Sequence, residues 1–319
     1  MRNRMMKLIM ALVLAVNLFP GIAPAEAAAA ETITHPDGSV TTTEAGENGR
    51  AVVKVTLSVD TVEAARSVGV GVELPMPAVF PSSDRSAAPA VTLELPDGGS
   101  IKVTIPVEQI TAGTVAVLVR DDGTEEIIRT SKTLTHGLSV ELSDGDTVKI
   151  VDNAKPFSDV PADYWGADAV AYVTSRELFA GTSEGMFDPE TAMSRGMLVT
   201  VLARMEGVDT SGGDPWYEAG RQWAVDNGIS DGTDMEQTLT REQLALMLYR
   251  YAGQPGGSGD LSAFTDGARV SSWAADAMTW AVDGGLISGV GERTLDPQGE
   301  ASRAQVAAVL LRLLEQPTF

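Results

Sequence analysis

Three arginines stand where a helix ordinarily places an acid. Arg195 follows Ser194 in "MSRGM", Arg241 follows Thr240 in "LTREQ", and Arg303 follows Ser302 in "ASRAQ". Each hydroxyl is an N-cap candidate in front of an apolar-periodic run, so the arginine falls in a first turn, where the helix dipole is already positive. The penalty is small, from a few tenths to about 1 kcal/mol. Two arrangements offset it. A carboxylate or phosphate can be held by the guanidinium, the capping hydroxyl and the free helix N–H groups, or a neighbouring acidic side chain can form a structural pair. Recurrence at one position in three helices favours a ligand. A second arginine nine residues on (Arg204, Arg250, Arg312) lies in the last turns, complements the dipole, and reads as helix-end stabilisation and packing.

Large aromatic rings recur with them. Trp165, Trp216 and Trp273 precede the three arginines by 30, 25 and 30 residues. At the start of a helix such a ring serves either as core or as a ligand platform. Tyr172, Trp223 and Trp280, seven residues further along, read as core. Flat rings beside arginines would suit a sugar acid, with stacking for the ring and a bidentate fork for the carboxylate.

The elements that must position these residues repeat too. Sixteen residues after each tryptophan comes a glycine: Gly181, Gly232, Gly289. Each arginine then opens an amphipathic helix, with apolar residues three, six, seven and ten positions later. These are Leu198, Val201, Leu202 and Met205, then Leu244, Met247, Leu248 and Tyr251, then Val306, Val309, Leu310 and Leu313. That spacing makes one buried stripe per helix. Thr240 with Gln243 and Ser302 with Gln305 form capping boxes, and Met197 denies one to the first helix. Three units follow, over residues 156–207, 208–253 and 260–316, the middle one shortened by five residues.

Upstream, residues 51–155 read as β. "AVTLELPDGGSIKVTIPV", "TVAVLVRDDGTEEIIRT" and "GLSVELSDGDTVKIVDN" are each expected to be an antiparallel hairpin with one buried face. Residues 26–50 are polar and Gly-rich and are expected to form a flexible arm. At the start of the chain, Arg2, Arg4 and Lys7 precede a short apolar run and an Ala-rich end, a secretory signal peptide over 1–25 rather than a spanning helix. The fold class is therefore α+β in two domains, a β-rich half and a helical half.

Composition narrows the chemistry. The net charge of −21 disfavours nucleic acid and anionic lipid. There is no cysteine, and the two histidines, His35 and His136, are far apart, so thiol chemistry is excluded and a His-based metal site or triad is not expected. No cofactor is expected. The β half gathers no catalytic constellation, and no enzymatic activity is expected. From Pro156 onward all ten basic residues are arginine, and all five tryptophans lie there, which marks a domain boundary near residue 155.

"FSDVPADYWGADAVAYV", "GMFDPETAMSRGML" and "SSWAADAMTWAVDGGLISG" give the second half a resemblance to the S-layer homology family, the triple repeat that holds bacterial surface proteins on the cell wall. The resemblance implies an all-α pseudo-threefold bundle whose grooves bind secondary cell-wall polysaccharide attached to peptidoglycan, often capped by a pyruvate ketal. It maps ligand-binding roles onto Asp159, Trp165, Gly181, Ser194 and Arg195 in unit one. In unit two they fall on Trp216, Gly232, Thr240 and Arg241, and in unit three on Asp266, Trp273, Gly289, Ser302 and Arg303. It implies a secreted protein of the cell envelope with no membrane insertion after signal cleavage, and self-association fits the same setting. Two rival readings are an exported glycan-active enzyme anchored by these repeats and a lattice-forming surface protein. Unit two lacks the Phe-x-Asp start and the apolar-Asp-Pro turn found at Phe187-Asp188-Pro189 and Leu295-Asp296-Pro297. Its groove, with Arg241, is expected to contribute least. If Arg195 and Arg303 clamp a ligand carboxylate through two parallel N–H bonds, Arg303→Lys is expected to weaken binding nearly as much as Arg303→Ala, with little change in melting temperature.

Overall fold

The computed structural model describes residues 30–46, 49–256 and 259–316, and the proposed leader over 1–25 lies outside them. Two sheets are followed by a helical half, an α+β arrangement. The first sheet has seven strands in the order β1 (Glu31–Thr34), β2 (Val40–Ala45), β3 (Ala51–Thr56), β5 (Ala90–Glu94), β11 (Thr147–Asp152), β7 (Thr114–Val119) and β8 (Glu125–Ile127). The second has four: β4 (Val72–Glu73), β6 (Ser100–Pro106), β10 (Gly137–Ser143) and β9 (Lys132–Leu134). Val55, Leu93 and Ile150 from one sheet meet Val103, Ile105, Leu138 and Val140 from the other in a common core.

Three expectations for this half need correction. Residues 31–45 are not a flexible arm: β1 and β2 form a hairpin that continues the sheet through β3. Threonine is polar but β-branched and suits a pleated strand. Thr41 is buried, and its hydroxyl donates to the Pro75 carbonyl at 2.5 Å. Second, only β7–β8 is a hairpin among the three proposed. β5 and β6 go to different sheets, as do β10 and β11, so each Asp-Gly turn crosses the sandwich. β6 then pairs with β10 and β5 with β11, both antiparallel. Alternation specifies which face is buried, but not which strand lies alongside. Third, the sheets are not wholly antiparallel, since β3–β5 and β4–β6 run parallel. The connection after β3 contains α1 (Val59–Val68), capped by Ser58 and ended by Gly69 in the left-handed region.

The helical half contains α2 (Ala167–Ser175), α3 (Arg195–Met205), α4 (Glu218–Asp226), α5 (Arg241–Tyr251), α6 (Ala275–Asp283) and α7 (Arg303–Glu315). Helices pack across units: α3 on α4, α5 on α6, and α7 back on α2. The residues just before α3, α5 and α7 form a closed ring of backbone bonds. Met193 N–H donates to Ala301 at 2.9 Å, Ala301 to Leu239 at 2.8 Å, and Leu239 to Met193 at 2.7 Å. Ser194, Thr240 and Ser302 cap the three helices as expected. The first helix also has a reciprocal cap, contrary to expectation, because the Met197 thioether accepts weakly from the Ser194 amide at 3.4 Å.

The halves meet at Arg176, which is fully buried. Its guanidinium donates to the carbonyls of Ser131 (2.8 Å), Thr114 (3.1 Å) and Ala112 (3.2 Å) in the β half, and to Tyr172 (3.3 Å) in its own helix. It also stacks on the Tyr172 ring, 3.5 Å from the centroid. Burial pushes its pKa down to about 10. Lys132 donates to the Gln316 carbonyl beyond α7. No helix among the described residues is long and apolar enough to cross a membrane.

Candidate functional site

The three tryptophans are not core. Trp165, Trp216 and Trp273 are 59%, 53% and 52% exposed, whereas Tyr172 and Trp280 are buried as expected. Each stands where one unit meets the motif helix of the unit before it. A Cβ on Gly196 would meet the Tyr217 ring at 3.1 Å, and one on Gly166 would lie 3.6 Å from Ala304. At the third junction, buried Glu242 accepts from the Ser271 amide and hydroxyl, both at 2.9 Å, and so fixes the short turn Ser272–Ala274 that carries Trp273.

The motif arginines reach across these junctions in one direction. Arg303 Nε donates to the Phe187 carbonyl at 2.8 Å and Nη2 to Ala180 at 2.7 Å. Arg241 repeats this in unit three, with Nε to Leu295 at 2.8 Å and Nη2 to Ser288 at 2.7 Å. Both residues are 5% exposed. Nε and Nη2 of both are therefore committed to main-chain carbonyls, so this edge of Arg303 does not serve the bidentate carboxylate clamp expected at Arg195 and Arg303. Burial lowers both guanidinium pKa values, opposed by Asp188 and Asp159 near Arg303 and by Asp296 and Asp266 near Arg241. The arginines nine residues later grip the same turns from within the unit: Arg204 donates to Leu178, Arg250 to Ile229 and Arg312 to Leu286.

Arg195 departs from this pattern. It reaches the shortened turn of unit two, which has no carbonyl to receive Nε, and Nε is buried without a partner. Nη2 binds Asp231 Oδ1 at 2.6 Å and Ser230 Oγ at 3.2 Å. The five missing residues thus alter the junction served by Arg195, not the one served by Arg241. A cleft of about 300 Å³ opens there, lined by Arg195, Ser230, Asp231, Gln243, Arg250 and Trp273 among others.

Asp159 and Asp266 also act on the turns. Asp159 accepts from the amides of Phe187 (2.9 Å) and Asp188 (2.6 Å), and Asp266 from those of Leu295 and Asp296 (both 2.8 Å). These bonds hold Asp188 and Asp296 at φ of 55° and 50°, a backbone region that side chains rarely adopt. Gly181 and Gly289 allow the turn to fold back, since a Cβ would lie 2.7 Å from the Met186 carbonyl or 2.8 Å from that of Thr294. Gly232, in the short unit, is required instead for its φ of 76°.

Burial alone would raise the Asp159 and Asp266 pKa values, but the amide donors outweigh it and hold both carboxyls below their ordinary range. A depressed folded pKa adds stability above the unfolded value, about 3.9, and that stability is lost as pH falls through the folded value. Melting temperature is therefore expected to fall below about pH 4, and less steeply in an Asp159→Asn/Asp266→Asn double variant. Parallel pH profiles of the two chains would rule out these clamps as contributors.

Sequence reasoning did not single out Arg176, Asp231 or Glu242. Arg176 follows a helix of ordinary pattern, and its carbonyl partners lie in the other half of the chain. Asp231 carried a weak signal, an acid beside the turn glycine where the other units have Ala180 and Ser288.

The family model described as S-layer homology domain matches residues 156–196 and 263–307. The shortened unit falls between these matches. A surface-layer 125 kDa protein of Lysinibacillus sphaericus is 28% identical over 167 residues, 47% of this chain and 14% of that one. An endoglucanase of Bacillus sp. (strain KSM-635) is 28% identical over 203 residues, 57% of this chain and 21% of the relative. An amylopullulanase of Thermoanaerobacterium thermosulfurigenes is 25% identical over 183 residues, 51% and 10% respectively. The chain thus spans a tenth to about a fifth of these relatives. The two family matches, with surface-layer relatives, support an S-layer homology domain protein of the cell surface.

Proposed function

We propose that the helical half anchors an exported chain to the bacterial wall by binding an anionic, pyruvylated secondary cell-wall polysaccharide without covalent attachment, leaving the β half displayed. The observation that carries this reading is the recurrence of a half-exposed tryptophan at each of the three unit junctions. A solvent-exposed indole on a rigid turn presents a flat apolar face for a sugar ring, at the cost of exposing apolar surface. The closed backbone ring and the arginines directed from each unit to the next support a pseudo-threefold bundle of three units, the second shortened. In this reading the chain performs no catalysis, and the glycan-degrading names among its relatives belong to proteins at least about five times its aligned length.

The test uses the full chain without its leader, because the helical half alone would lose the carbonyl partners of Arg176. The protein is expected to sediment with Gram-positive walls and to stay in solution with walls stripped of secondary polymer by acid. Replacing all three tryptophans by alanine should weaken binding by at least ten-fold, taking each stacking contact as ~0.5–1.5 kcal/mol, with an unchanged melting temperature. Equal sedimentation with stripped and intact walls would remove the polymer as ligand. Release of reducing sugars from the walls would favour the enzymatic rival.

A further inference from the structure

Within the anchoring reading, the three junctions do not carry the same charge. Arg241 and Arg303 end on neutral carbonyls, whereas Arg195 ends on a carboxylate of its own chain. Asp231 is 63% exposed and Arg195 only 15%, so the pair is a solvent-facing acid laid over a largely buried base. Asp231 Oδ1 also accepts from the Thr233 amide at 3.1 Å and its hydroxyl at 3.0 Å, which keeps the carboxylate in place over the guanidinium. Arg195 uses Nη2 alone for this contact, and the adjacent Nε has no partner. A guanidinium prefers to meet a carboxylate with two parallel N–H bonds, and here it has been given one.

We propose that Asp231 is a tethered carboxylate that competes with external carboxylates for Arg195, making the cleft at the shortened turn selective against acidic sugars. The shortened turn of unit two offers no carbonyl to Nε, which leaves half of the Arg195 fork unused. Asp231 occupies the outer half of that fork. An acidic sugar approaching Trp273 must displace Asp231 and meets its negative charge, while an uncharged sugar face meets neither obstacle. An exposed ion pair is weak enough for the arginine to be recovered when the acid is removed.

The experiment is a titration with sodium pyruvate at constant ionic strength, followed at the Arg195 Nε–H signal by nitrogen–proton NMR of the full chain without its leader. The signal is assigned from its loss in Arg195→Lys. Asp231→Asn removes the charge and keeps an oxygen for the Thr233 amide, and Asp231→Ala serves as a second variant if the asparagine amide itself engages Arg195. Pyruvate is expected to bind at least ten-fold more tightly in one or both variants than in the unaltered chain. Equal affinity in all three chains, no response in any, or weaker binding in both variants would overturn the proposal. Titrating the unaltered chain with purified wall polymer and following the tryptophan indole signals separates the two ideas. Indole shifts without any pyruvate response would leave the anchoring intact while Asp231 loses its role, and absent indole shifts would count against the anchoring alone.

Discussion

Arg176→Ala is expected to lower stability by about 3–4 kcal/mol and to divide one thermal transition into two. The residue is fully buried, and its guanidinium serves four main-chain carbonyls, three of them in the other half of the chain. Removing it strands the Thr114 carbonyl away from water, at about 1–3 kcal/mol for an unsatisfied group, and leaves the Ser131 carbonyl with only the long bond from the Tyr172 hydroxyl at 3.3 Å. It also leaves the face of the Tyr172 ring without the planar group that covers it. Arg176→Met restores much of the stem volume without the donors and should recover only a minor part of the loss. Calorimetry decides the matter: a single transition with an unchanged midpoint in the alanine variant would show that the halves are held by other contacts.

A comparably large effect is expected at the junction that joins the last unit to the first. Arg303 is held by two carbonyls and lies over the Phe187 ring, 4.4 Å from its centroid. A lysine offers a point charge that cannot serve both carbonyls and cover the ring. Arg303→Lys should therefore cost about 2–3 kcal/mol, taking roughly 1–1.5 kcal/mol for each lost contact, contrary to the unchanged melting temperature expected from sequence. Arg241→Lys should behave alike, since its two acceptors match. Arg195→Lys, which disturbs a pair with an exposed partner, should cost under about 1 kcal/mol. Urea unfolding midpoints with unchanged slopes would measure the three. An Arg195 variant as unstable as the Arg303 variant would contradict the distinction drawn between carbonyl-held and carboxylate-held arginines.

What could be read from sequence follows the range of the interactions involved. The apolar stripes of α3, α5 and α7 and their hydroxyl caps depend on neighbours a few positions apart, and both were legible. The strand faces were legible for the same reason. Strand partners were not, because the "PDGG" and "SDGD" turns are compatible with either a hairpin or a crossing between sheets, and the choice is made by a core assembled from distant strands. The same limit applied at the arginines. Three occurrences of one motif suggested one role, but each guanidinium is defined by a turn in the next unit. Two of those turns supply paired carbonyls and the shortened one does not. Even the location of the odd junction was displaced by one unit, since the deletion alters what Arg195 meets and leaves Arg241 undisturbed.

The closed order of the helical half has a mechanical consequence. Domains strung in series peel from the end that is pulled, one after another, and the weakest joint sets the breaking force. Here tension applied to the β half enters beside α2 through Arg176 and beside the end of α7 through Lys132, so it is delivered to the first and last units together. Those two units are already stapled by Arg303. Load entering through both contacts is shared between parallel paths rather than passed from unit to unit.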